Sequence, residues 1–201
     1  NLQAILDLPK GTEHFLSDLH GEYEAFSHML RNASGVIKTK VDESFGTTLG
    51  ETERKTLATL IYYPQQKLEL LKREQKDLKD WYRVTLYRLV EVCRQVSSKY
   101  TRSKVRKALP KDFAYIIELL MTGRPDLEDQ EAYYNEIINS VIHTGRAAQL
   151  IIDFCYLVRR CTVDHLQVVG DIFDRGPYPH LIMDDLMTHQ SVDIQWGNHD
   201  I

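Results

Sequence analysis

The sequence predicts an α/β protein whose sheet-forming ends are separated by a large all-helical insertion. Three observations carry this. Short apolar runs rich in Val, Ile, Leu and Phe occur near both ends of the chain, each feeding a loop that contains glycine and aspartate. Residues 35–160 between them read with helical rather than alternating periodicity. Finally, 201 residues with a hydrophobic content of 43% are enough for a substantial core.

In chain order, His14 to Ser17 reads as a short buried strand, and Asp18-Leu19-His20-Gly21 follows as a loop. Gly21 opens a helix, with Tyr23, Phe26, Met29 and Leu30 at helical spacing. Asp42 to Gly50 is expected to be a polar loop, and Glu51 to Ile61 a helix that Pro64 interrupts. One long helix is expected from Gln65 to Tyr100, its apolar stripe formed by Leu68, Leu71, Leu78, Tyr82, Leu86, Leu89 and Cys93. The stripe does not hold strict heptads, so it predicts bundle packing rather than a coiled-coil arm. Pro110, Gly123, Pro125 and Gly145 punctuate the remainder into helices of roughly ten to sixteen residues. A second strand is expected at Leu166 to Val169, a loop at Gly170 to Gly176, a helix at His180 to Thr188, and a third strand at Val192 to Trp196. The expected division is 1–34 as a first strand-loop-helix, 35–160 as the helical insertion, and 161–201 as the continuation of the sheet domain.

A net charge of −4 and a pI near 6.1 leave no whole-protein footprint for nucleic acid or an anionic membrane, and neither is expected as a partner. Cys93, Cys155 and Cys161 are odd in number and lack metal-knuckle spacing, which suits a reducing cytoplasm. No run of about 18 apolar residues is present, so the expected location is cytoplasmic. The chain starts at Asn1 and stops at Ile201 inside a glycine-containing loop, so a fragment of a longer protein is expected. The stretch from Lys67 to Lys107 is rich in lysine and arginine. Its simplest reading is a solvated helix surface, and its sharper one an anionic effector site.

Three motifs follow the three strands, where open α/β sheets hold their ligands. Asp18 and His20, two apart, would point to one side of an extended segment and grip one cation. Asp171 leaves a strand, Asp174 and Arg175 follow on a turn, and Gly170 and Gly176 allow the backbone to approach a ligand. Asn198 offers an amide oxygen to a metal, and His199 an imidazole suited to proton donation near neutral pH. Carboxylate, amide and imidazole ligands with a nearby arginine are what dimetal phosphoester hydrolysis needs. The other histidines, His14, His28, His143, His165, His180 and His189, read as surface or packed residues.

The motif set resembles the calcineurin-like metallophosphoesterases, in the branch with GDxxDRG and GNH[ED] signatures that includes the serine/threonine protein phosphatases. The resemblance implies part of a metallophosphoesterase sandwich. It also implies that Asp18, His20 and Asp171 bind a first metal and that Asp171 bridges to a second, bound also by Asn198. His199 would be the general acid, Asp174 would orient and charge-stabilise it, and Arg175 would hold phosphate oxygens. In the protein phosphatases the first two motifs lie close in sequence, whereas here the helical segment separates them. The stretch from Leu8 to Phe26 and that from Gln167 to Pro177 are similar to the class III fructose-1,6-bisphosphatases of bacteria. That resemblance implies hydrolysis of fructose 1,6-bisphosphate to fructose 6-phosphate in gluconeogenesis, with two divalent ions and manganese the expected metal.

The family completes its second metal with two histidines downstream of the Asn-His pair, so this chain by itself is expected to be inactive. Alternative substrates are a phosphoprotein or a dinucleoside polyphosphate. A non-enzymatic alternative is a helical interaction or regulatory module with a vestigial site, and the intact motif positions argue against it.

Overall fold

A computed structural model describes residues 3, 6, 11–75, 77–123 and 128–201. Expectations for Leu8, Pro9, Lys10, Lys76 and Pro125 fall outside the described residues. The chain divides into two compact units: Asn1–Ile37 with Thr162–Ile201, and Lys38–Cys161. The result is a mixed α/β protein with one small parallel sheet and mostly helices.

In the first unit, β1 (Glu13–Ser17), β2 (His165–Gly170) and β3 (Val192–Trp196) form a parallel sheet in that order. Leu16 pairs with Val168, and Val168 with Ile194. Strand alternation sends His14 and Leu16 of β1, and Leu166 and Val168 of β2, to one face. That face is covered by α1 (Tyr23–Asn32) and α10 (Pro179–Thr188) through Phe26, Ile182 and Leu186, with Leu19 and Ile172 sealing the loop end. On the opposite face Phe15 is 64% exposed and Val169 38%. β1, expected to be buried, and β2 are thus buried on one side only, and no residue of β3 is fully buried.

His14 is the exception in this core. Its Nε2 lies 2.7 Å from Ser34 Oγ, while its Nδ1 is buried with no hydrogen-bond partner. Burial, then the proximity of His189, holds the imidazole below its ordinary 6.5, and burial with His165 nearby does the same to His189. Both groups therefore take up protons more readily in the unfolded chain. Stability is retained above about pH 6.5 and falls as pH drops below it, until the folded imidazoles titrate as well. The expected result is a lower urea midpoint at pH 5.5 than at pH 7.5, with a flatter pH dependence in His14→Gln. A midpoint independent of pH in this window would contradict it.

The second unit is helical: most of α2 (Val36–Phe45), then α3 (Glu51–Tyr62), α4 (Pro64–Glu74), α5 (Leu78–Ser97), α6 (Arg102–Ala108), α7 (Ala114–Thr122), α8 (Glu128–His143) and α9 (Ala147–Thr162). Its core draws on Leu60, Ile61, Leu86, Leu89, Ile117, Ile138, Leu150 and Phe154. The three cysteines are buried free thiols here, and burial pushes the Cys93 and Cys155 thiols up.

Two expectations are corrected. Asp42 to Phe45 belongs to α2 rather than to a loop, supported by the Lys38–Asp42 and Lys40–Glu43 pairs on successive turns. The single helix from Gln65 to Tyr100 is two helices, because Gln75 is extended and Asp77 starts a new helix, its carboxylate accepting from the N–H groups of Lys79 and Asp80 at 3.0 Å. The apolar stripe continues across the break, which hid it from a reading by periodicity. Much of the basic stretch is locally neutralised. Lys72 pairs with Glu69, Arg83 with Asp80, Arg88 with Glu53 and Arg106 with Glu118, and Arg94 caps α7 by donating to the carbonyls of Leu120, Met121 and Gly123.

Among the described residues no helix is long and apolar enough to cross a membrane.

Candidate metal centre

All three motifs lie at the carboxyl ends of the parallel strands. Beyond Ser17, Asp18 N–H donates to Val169 O at 3.0 Å, carrying the pairing past the strand end. The next two loops are then laced together: His20 N–H donates to Asp171 O (3.0 Å), Gly21 N–H to Ile172 O (2.8 Å) and Gly176 N–H to His20 O (2.6 Å). This lacing holds an unusual backbone. Asp18, His20, Asp174 and Arg175 all have left-handed φ, at 52°, 47°, 67° and 66°. Such conformations cost a non-glycine residue about 1–2 kcal/mol each, and the cross-loop hydrogen bonds offset that. The expected extended Asp-Leu-His geometry is therefore corrected: the two side chains converge through left-handed turns, not through strand alternation.

One ligand atom from each of Asp18, His20 and Asp171 lies within 4.8 Å of the others. Asp171 is buried and Asp18 exposed, so the cluster opens to solvent on one side. Two carboxylates and an imidazole are a donor set for a divalent cation. His20 Nδ1 adds a structural test of that fit: it is buried without a hydrogen-bond partner, and Asp174 Oδ2, at 3.6 Å, is within ion-pair reach but too far to hydrogen-bond. A buried orphan nitrogen is costly unless a cation and an acid share the ring, and here both roles have candidates. The residues present fit a metal.

The other expected site residues fall around this cluster with different partners. Asp174 lies against Arg175 (Nε to Oδ2, 3.1 Å) and His20, and no ion pair joins it to His199 among the described residues. Arg175 is largely exposed. Asn198 and His199 are exposed, and the His199 backbone N–H donates to Asp171 Oδ1 at 2.9 Å.

Gly170 and Gly176, expected to let the backbone approach a ligand, make room here for the neighbouring loop, a Cβ on Gly176 meeting the His20 and Gly21 backbone, and Gly21 and Gly197 are equally close to the second motif. A Cβ on Gly170 would meet the Asp18 carboxylate, one on Gly21 would come within 2.5 Å of Gly176 O, and one on Gly197 would collide with the Asp171 carboxylate. Asp200, which no motif chemistry marks in the sequence, is tied into the second motif's backbone. Burial raises its carboxyl pKa, yet the N–H groups of Phe173, Ile172 and Gly197, with His199 nearby, prevail and hold it below the ordinary 3.8.

Fold and site together define an α/β protein with a candidate divalent-metal cluster at the carboxyl edge of a parallel sheet. Comparison with known proteins then narrows the class. The chain belongs to the Firmicute fructose-1,6-bisphosphatase family, whose model matches residues 1–201. It is 61% identical over 201 residues to a fructose-1,6-bisphosphatase class 3 of Clostridium botulinum strain Hall, and 62% identical over the same length to one of Alkaliphilus metalliredigens. All of this chain and 30% of each relative are covered, so the chain spans less than a third of their length. No solved structure matches the chain significantly.

Proposed function

We propose that this chain is the N-terminal part of a metal-dependent sugar bisphosphatase that hydrolyses fructose 1,6-bisphosphate to fructose 6-phosphate and phosphate in gluconeogenesis. The carrying observation is the convergence of Asp18, His20 and Asp171 at the ends of parallel strands, in a chain that matches a fructose-bisphosphatase family along its whole length. In this reading Asp18, His20 and Asp171 hold one cation, and Asp171 and Asn198 contribute to a second, with Mn2+ the expected metal. Bound there, the cations would supply Lewis-acid activation of water and neutralise charge on the phosphoryl group. His199 protonates the leaving oxygen, Asp174 would orient and charge-stabilise that imidazole in the intact site, and the exposed Arg175 binds phosphate oxygens.

The sheet unit is read as part of a calcineurin-like sandwich. Parallel sheets are rarely left bare on one face, and the exposed Phe15 and Val169 are what a second layer would cover. Residues 35–160 are read as a helical insertion between residues 1–34 and 161–201, and the protein as cytoplasmic. The basic stretch from Lys67 to Lys107 is read as a solvated helix surface, with an anionic effector site as the sharper alternative.

The test compares the intact protein with this chain, both in Mn2+, on fructose 1,6-bisphosphate, a phosphopeptide and a dinucleoside polyphosphate. The intact protein is expected to prefer the sugar bisphosphate, and the chain to bind at most one Mn2+ and turn over little. Preference for either other substrate would overturn the substrate assignment, and near-full activity in the chain would overturn the incomplete-site reading.

A further inference from the structure

Asp200 closes the third motif, and its carboxylate is engaged by the backbone of the second motif and by Gly197. Oδ1 accepts from the N–H groups of Ile172 and Phe173, both at 3.0 Å. Oδ2 accepts from Ile172 N–H at 3.1 Å and from Gly197 N–H at 3.2 Å. Asp171 does the converse, its Oδ1 accepting from His199 N–H at 2.9 Å. Each of the two loops thus places an aspartate on the backbone of the other. Hydrogen bonds to an ionised carboxylate are about twice as strong as neutral ones, and three donors converging on one carboxylate make a rigid tie.

Ile172 follows Asp171 directly, and Gly197 precedes Asn198 and His199. A tie between Ile172 and Gly197 therefore sets the separation between the second motif's metal-facing carboxylate and the third motif's amide and imidazole. We infer that Asp200 is a positioning residue: by clasping the Ile172, Phe173 and Gly197 amides it registers Asn198 and His199 against Asp171. The inference rests on the proposed roles of Asp171, Asn198 and His199 as metal and proton-transfer residues. Asp200 itself need touch neither metal nor substrate.

The test uses the intact protein with Asp200→Ala, Asp200→Asn and the wild type. Asp200→Ala is expected to lower Mn2+ affinity and kcat by about 10–100-fold, the usual effect of losing a group that orients a metal ligand, with KM close to wild type. Hydrogen exchange of a peptide spanning residues 170–176 should speed up at the same time. Asp200→Asn keeps one accepting oxygen and is expected to recover part of both. Unchanged exchange in that peptide would overturn the clasp. Faster exchange and a lower melting temperature with unchanged Mn2+ affinity and kcat would overturn the positioning role in favour of a purely structural one. A wild-type protein that binds no Mn2+ would instead overturn the metal reading, and the exchange data would still report on the clasp.

Discussion

Asp171→Asn is expected to lower Mn2+ affinity of the intact protein at least about 100-fold, the upper end of what losing a mere supporting group costs, and to abolish turnover. Asp171 is the buried carboxylate of the three-residue cluster, and the one that also receives the His199 backbone N–H. Asparagine has the same shape and retains an oxygen to accept that N–H, so the loops stay in place. What disappears is the negative charge and one anionic ligand, on which a hard divalent cation depends. The outcome is therefore selective: metal affinity and rate fall while the melting temperature without metal holds. Titration of Mn2+ followed by the electron paramagnetic resonance signal of the free ion, with a parallel thermal melt, reads both. Retained affinity would remove Asp171 from the metal site.

Gly197→Ala is expected to weaken both the fold and the metal site although it removes no functional group. Gly197 has no positive φ, so conformational freedom is not the reason for glycine here; space is. An added Cβ would collide with the Asp171 carboxylate and come within 2.5 Å of the Asp171 backbone nitrogen, which cannot swing aside as a flexible side chain can. Overpacking of this kind costs about 1–3 kcal/mol. Because the displaced group is the shared carboxylate, Mn2+ affinity should fall about 10–100-fold in addition. Gly35→Ala is the control. Its φ of +91° makes the backbone strained for alanine, but nothing lies within 4 Å of the new Cβ, so stability should fall by about 1–2 kcal/mol and metal affinity should not change. Equal metal affinity in wild type and Gly197→Ala would refute the steric argument.

The strands were legible because their apolar runs are short and lead into glycine-containing loops: Val192–Trp196 has the expected limits, β1 starts one residue earlier than expected, and β2 extends one residue further at each end. Helices were legible by period, and their breaks less so. Pro64 announces the start of α4 through its missing N–H, while the break before α5 depends on Asp77 turning its side chain back onto two amides, which periodicity cannot register. The basic stretch looked like a charged surface in sequence. Its pairing with Glu53 and Glu118 became visible only when helices distant along the chain were brought together.

Sequence alone determined the chemistry on offer: hard ligands, an imidazole and an arginine placed just past three strands, where backbone N–H and C=O groups leave the ladder and side chains are free to converge. Side-chain chemistry is a property of the residue, and strand-forming tendency of its near neighbours, so both can be read locally. Tertiary structure decided how the ligands meet. Asp18 and Asp171 come together because β1 and β2 are hydrogen-bonded neighbours despite the long segment between them, and the left-handed turns at Asp18 and His20 are tolerated because amides and carbonyls of the neighbouring loop hold them. It also decided what Gly197 and Asp200 do, since a close approach and a shared carboxylate exist only between two loops packed against each other.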